Sequence, residues 1–226
     1  MKNSKIYSGF IITVIVVFAS CKPEKMNPVD VGYAYFPDTV GHWILYKVDS
    51  TWHDSIAGID TVFHFKVRDS IESHYIDTSG RITQRIERQY MSDSVNWYMK
   101  RIWHGNLTRT TAERVEENIR YIKLNFPVME GKLWNGNLYN DSGAQNYKET
   151  LVNQYYMDTV TWIPYPLTVT VIQIDSTNAV HRIYVKEIYA KNIGLIYREA
   201  KNLVLFPGGV AVQTGFEYTY RAIGHN

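Results

Sequence analysis

Beyond residue 32, no stretch of ten residues carries an apolar stripe at helical spacing. Short runs rich in Val, Ile, Thr, Tyr and Trp recur instead, separated by turn-forming residues. The pattern predicts strands over 42–51, 60–68, 81–90, 95–103, 109–115, 119–126, 147–156, 167–174, 180–190, 195–206 and 210–222. Thr78-Ser79-Gly80, His104-Gly105-Asn106, Glu116-Glu117-Asn118, Asp175-Ser176-Thr177-Asn178 and Pro207-Gly208-Gly209 read as the turns between them. Many long strands joined by short turns predict an all-β fold, an antiparallel meander curled into a barrel or a strongly bent sheet. Arg68, Arg85, Lys100, Arg101, Arg120, Lys123 and Lys186 fall on these strands. A lipid-facing charge costs roughly 2–4 kcal/mol, so the strands are expected to lie beside a membrane rather than in one.

The first 32 residues follow a different pattern. Lys2 and Lys5 precede an apolar stretch from Ile6 to Phe18, too short to span a bilayer comfortably, and Ala19 and Ser20 precede Cys21. Phe18-Ala19-Ser20-Cys21 resembles the bacterial lipobox, with Phe where Leu is usual. The layout predicts an N-terminal lipoprotein signal peptide over 1–20, removed in the mature chain. It also predicts a lipidated tether over 21–32 and a single β-rich domain over 33–226. Lipidation would place diacylglycerol on the Cys21 thiol and a further acyl chain (palmitate) on its amine, and several chains together anchor a protein stably. Lys22 stands where Asp would signal inner-membrane retention, so the expected location is the cell envelope, lipid-anchored, at the outer membrane.

Composition narrows the function classes. The chain is 45% hydrophobic and 20% charged, with a formal net charge of +2. Without Lys2 and Lys5 the mature chain is near neutral, and no basic run or tail is present, so nucleic acid is not an expected partner. Cys21 is the only cysteine, which excludes an internal disulfide, a thiolate zinc site and thiol catalysis in the mature fold.

Two segments echo each other: Phe36-Pro37-Asp38-Thr39-Val40-Gly41-His42-Trp43 and Phe126-Pro127-Val128-Met129-Glu130-Gly131-Lys132-Leu133-Trp134. They read either as the starts of duplicated half-domains or as two similar turns. Tyr35-Phe36-Pro37, Gly41-His42-Trp43 and Tyr46 also resemble the opening of uncharacterised cell-envelope lipoproteins common in Bacteroidota. Lys123-Leu124, Phe126-Pro127, Gly131 and Trp134-Asn135-Gly136-Asn137 are similar to their middle. Residues 186–191, 194–199 and 215–220 are similar to their last strands. The resemblance implies an envelope location and a β fold; it implies no activity.

Eleven aspartates occur, and all but Asp30 are followed by Ser or Thr. Eight of these pairs resemble the Bacteroidota O-glycosylation sequon, which makes Thr39, Ser50, Ser55, Thr61, Ser70, Ser94, Thr159 and Ser176 candidate glycan sites. The competing reading is that Asp caps turns and Ser or Thr opens strands. The seven histidines form no closely spaced pair, although His53 and His64 could meet across a hairpin. No metal site is expected, since one needs three or four convergent ligands. Glu116 and Glu117 beside Asn118 read as a solvated turn rather than a catalytic pair. No catalytic motif and no cofactor-binding motif is present. Trp97, Tyr98 and Trp103, and Tyr155, Tyr156, Trp162 and Tyr165, read as core residues or as a binding surface.

The expected protein is a membrane-anchored, non-enzymatic module held by lipid on Cys21. It would bind an apolar small molecule in a barrel cavity, a glycan or an envelope protein. The alternatives are a structural or assembly component of the envelope and, third, an unrecognised hydrolase.

Overall fold

The computed structural model describes residues 29–91 and 96–226; Cys21, its flanking segment and Ser94 lie outside them. The strands are β1 (Trp43–Asp54), β2 (Ile59–Ile76), β3 (Ile82–Met91), β4 (Tyr98–Leu107), β5 (Thr111–Glu116) and β6 (Ile119–Asn125). They continue as β7 (Leu133–Asn135), β8 (Asn146–Met157), β9 (Pro164–Thr177), β10 (His181–Ala190), β11 (Gly194–Leu205) and β12 (Val212–His225). Each pairs antiparallel with its chain neighbours, and β12 returns to pair with β1. The all-β meander predicted from sequence is therefore one nearly closed, barrel-like sheet. Among the described residues its break lies between β6 and β7. One backbone bond, Ile122 N–H to Gly136 O at 2.9 Å, bridges it, and Trp134 Nε1 donates to Ile122 O at 2.9 Å.

Three local expectations are corrected. His104-Gly105-Asn106 is not a turn but part of β4; a Cβ on Gly105 would lie 2.3 Å from Gln84 Oε1, so the glycine makes room for a cross-strand neighbour. The turn falls at Thr108–Thr110, where Thr108 Oγ1 accepts the Thr111 N–H at 2.8 Å. Strand β7 was missed because it is three residues long. Strand β2 runs eight residues past its predicted end, through a polar stretch whose Asp69 is buried.

The sequence echo marks two halves, each opening six strands. Gly41 N–H donates to Ile71 O (2.8 Å) and Ile71 N–H to His42 O (2.9 Å). Gly131 N–H donates to Glu149 O and Glu149 N–H to Lys132 O, both at 2.9 Å. Gly41 and Gly131 both take left-handed φ, 87° and 77°, and Phe36 and Phe126 are both buried. The same loop thus docks β1 on β2 and β7 on β8.

In an up-and-down meander, the turns after even-numbered strands share one end with the start of β1. Residues 31–42 lie across that end: Asn192 N–H donates to Ala34 O (2.7 Å), Val128 N–H to Val31 O (3.0 Å) and Tyr35 Oη to Asn153 Oδ1 (2.9 Å). Tyr35 and Phe36 plug it as buried side chains.

The interior is filled, and much of the filling is ionic. Lys123 Nζ on β6 lies 2.8 Å from Glu116 on β5 and 2.9 Å from Glu187 on β10. Arg198 on β11 reaches Glu116 at 2.9 Å. Gln173 and Tyr189 donate to Glu187 Oε2 at 2.6 and 2.7 Å. Strands β5 and β11, or β6 and β10, are not sheet neighbours, so these bonds cross the barrel. Burial alone would push the Glu116 carboxyl up, but Lys123 and Arg198 outweigh it and hold it far below the usual range. This corrects the reading of Glu116 as solvated. Only Glu117 and Asn118 form the exposed turn, with φ of 48° and 67°, and Glu117 pairs outward with Arg101 at 2.8 Å. Nearer β1, Arg88 makes a two-bond fork to Asp69, 2.7 Å each, and its guanidinium lies 3.5 Å from the Trp103 ring centroid. The void beside Asp69 and Arg114 measures about 30 Å³, room for little more than one water.

Removing one partner of a buried pair strands the other charge. Arg88→Ala is expected to lower unfolding free energy by about 3–5 kcal/mol in urea titration, and Arg88→Met with Asp69→Leu together by much less. Equal losses would contradict the pairing. At the break, burial raises the Glu149 carboxyl from 4.5 to about 7 despite hydrogen bonds from the Met129 and Asn125 N–H groups. A carboxyl raised in the fold gives stability that is complete below its unfolded value and lost as pH rises through about 7. The urea midpoint is expected to fall between about pH 5 and pH 8, and Glu149→Gln is expected to remove that fall. An unchanged fall in the variant would exclude Glu149 as its source.

Candidate functional site

With the interior occupied and one end plugged, the concave surfaces lie elsewhere. Strands β2 and β3 pair from Ile76↔Ile82 to Lys66↔Met91. Below that point β2 continues to Ile59 paired with β1 alone. Residues 92–95, which follow Met91 in the chain, lie outside the described residues.

Aromatic rings stand beside this part of β2. Phe65 stacks on Tyr90 (centroids 5.8 Å apart, 19° between planes) and Tyr90 on Tyr98 (6.3 Å, 29°). Lys100 Nζ lies 4.5 Å from the Tyr90 centroid. With Val62, Phe63 and His64 they line a concavity of about 360 Å³. Phe63 is 51% and Tyr98 48% exposed, so large apolar faces stand in water here. Cross-strand spacing explains the ladder: Tyr90 faces Val67 on β2 and Tyr98 on β4, so alternate positions on three strands stack their rings. The site combines exposed apolar ring faces and one cation. It suits apolar or aromatic groups with a carboxylate near Lys100.

The sequence-predicted candidates scatter. Tyr98 joins this site; Trp103 is core under Arg88; Trp97 lies 5.5 Å below the Arg68 guanidinium. Phe63, Phe65, Tyr90 and Lys100 were missed, although the Phe63-His64-Phe65 alternation was a visible signal. His53 and His64 do not meet, because the hairpin register sets His53 opposite Asp60 and His64 opposite Asp49; the pairs close at 3.0 and 2.7 Å. Among the described residues, no group of three His, Cys, Asp or Glu side chains is placed to hold a metal.

The Asp-Ser/Thr pairs have structural roles too. Asp54, Asp77 and Asp158 accept turn N–H groups, while Asp38, Asp49, Asp60 and Asp69 pair with His74, His64, His53 and Arg88. Thr39, Ser55, Thr159 and Ser176 are exposed; Ser50, Thr61 and Ser70 are half-buried within strands.

Two further hollows are more polar. One of about 300 Å³ is lined by charged groups of β1, β11 and β12, including Glu199, Lys201, Glu217 and Arg221. The other, about 620 Å³, lies below the sheet break between β6 and the 136–145 loop.

In comparisons with known proteins, no protein family, no curated protein and no solved structure matches this chain.

Proposed function

We propose that this protein is a lipid-anchored, non-enzymatic binding protein of the outer membrane that captures an apolar or aromatic segment of an envelope partner. The observation that carries this reading is the Phe65–Tyr90–Tyr98 ladder lining a concavity of about 360 Å³ with Phe63 and Tyr98 exposed. Ring contacts supply affinity, and Lys100 beside them supplies selectivity. The anchor reading rests on the signal-like first 20 residues and on Cys21 as the only cysteine. Asp69, Glu116 and Glu187 are each committed to a cation, which speaks against those three as acid–base groups of a hydrolase. Recognition at an exposed end also replaces the apolar molecule expected within the barrel. Of the exposed candidates Thr39, Ser55, Thr159 and Ser176, glycans are proposed at Thr39, Ser55 and Ser176.

Lipidation predicts that the wild-type chain partitions into the membrane fraction and that Cys21→Ser releases it after signal cleavage. Membrane retention of the cleaved variant would refute the anchor. The binding claim is tested by selecting displayed peptides on the purified protein. Tyr98→Ala, with its circular dichroism unchanged, is expected to weaken the selected binders about tenfold, and Phe63→Ala by a similar factor. Binders indifferent to both changes would place recognition elsewhere.

A further inference from the structure

The end plugged by residues 31–42 carries a second exposed apolar surface of different character. From Thr150 to Leu167 the one charged side chain is Asp158, and it is 5% exposed. Its Oδ1 accepts the Val160 and Thr161 N–H groups at 2.9 and 2.8 Å, and its Oδ2 lies 3.3 Å from Arg221. The rest of the β8–β9 hairpin therefore meets water without a charge, and it does so with Leu151, Tyr155, Met157, Val160, Trp162 and Leu167 all exposed. Trp162, at the tip, is 69% exposed. It holds a left-handed φ of 59°, which large side chains rarely adopt, and its N–H donates to Asp158 O at 2.9 Å. The opposite face is fastened down: Tyr156 stacks on Tyr165 and tilts against Tyr197, with centroids 6.4 and 6.2 Å apart. The hairpin is thus a firm support presenting Trp and Tyr, not a loop awaiting collapse.

Its place in the topology identifies the occupant. The β8–β9 turn follows an even-numbered strand, so it lies at the end where Val31 hydrogen-bonds Val128. Nine residues lie between Cys21 and Val31, and the ten Cα–Cα steps from one to the other span at most about 35 Å. A lipid on Cys21 would keep this end near the bilayer. Uncharged surface with Trp and Tyr at its margin is the chemistry that settles at the boundary between headgroups and acyl chains. A protein partner would more often be registered by charges at a polar rim, and this hairpin exposes none.

We propose that the tip of the β8–β9 hairpin, led by Trp162 and Val160, docks into the lipid interface beside the anchor. The docking orients the barrel with its plugged end on the membrane and the Phe65–Tyr90–Tyr98 ladder away from it. The inference rests on lipidation of Cys21. A glycan on Thr159 would stand between hairpin and bilayer, so that residue is unmodified in this arrangement.

The test uses the full lipidated chain carrying Thr159→Cys, labelled with an environment-sensitive fluorophore; the Cys21 thiol is occupied by lipid, so the label is unique. Asp141→Cys, in the β7–β8 loop at the opposite end, is the reference. In vesicles of phosphatidylethanolamine and phosphatidylglycerol, spin-labelled lipid is expected to quench the label at 159 several-fold more than at 141, and iodide several-fold less. Trp162→Ser with Val160→Asp is expected to abolish the difference. Equal quenching on protein whose Cys21 peptide is lipidated by mass overturns this inference alone. An unmodified Cys21 peptide overturns the anchor and the docking with it. Shielding in native envelope but not in pure lipid vesicles assigns the hairpin to a protein partner and overturns the lipid contact, as does a glycan on Thr159 in native protein.

Discussion

The ionic bracing of the interior is the constraint on which the rest of the structure depends. Lys123 and Arg198 share Glu116 and Glu187 across the barrel, and the Arg88–Asp69 fork lies under Trp103. Twelve strands enclose more space than aliphatic side chains alone would pack. Long charged side chains, satisfied in pairs and backed by Tyr189 and Gln173, occupy that space. Each buried charge has its solvation replaced by a partner or a hydrogen bond, without which burial would be prohibitive.

The two ends differ because the two halves are joined unequally. Strands β12 and β1 pair along their length, while β6 and β7 touch through one backbone bond. The chain preceding β1 crosses one end and plugs it with Tyr35 and Phe36. At the other end stands the ladder of Phe65, Tyr90 and Tyr98. The polarity is a consequence of where the chain begins the barrel.

Much of this was legible in sequence. Strand character and turn residues foretold the meander, and the Phe-Pro-x₃-Gly echo foretold the two halves, whose hydrogen bonds at Gly41 and Gly131 match one for one. The interior charges were not legible. A charged residue in a strand reads as outward-facing, and the partners that bring Glu116 and Lys123 inside lie 82 and 64 residues away. For the same reason Asp69 looked like the end of a strand when it is the inward half of an ion pair. The ladder was hidden because Phe65, Tyr90 and Tyr98 meet through register, which periodicity within one strand does not encode.

The proposed reading, in which recognition lies outside the barrel and not within it, is tested most directly by titrating the purified protein with long-chain fatty acids and apolar fluorescent probes, followed by native mass spectrometry. The account predicts no saturable one-to-one complex and no change in Trp103 environment. A stoichiometric complex that quenches Trp103 would show that the ionic interior opens to a ligand and would contradict it.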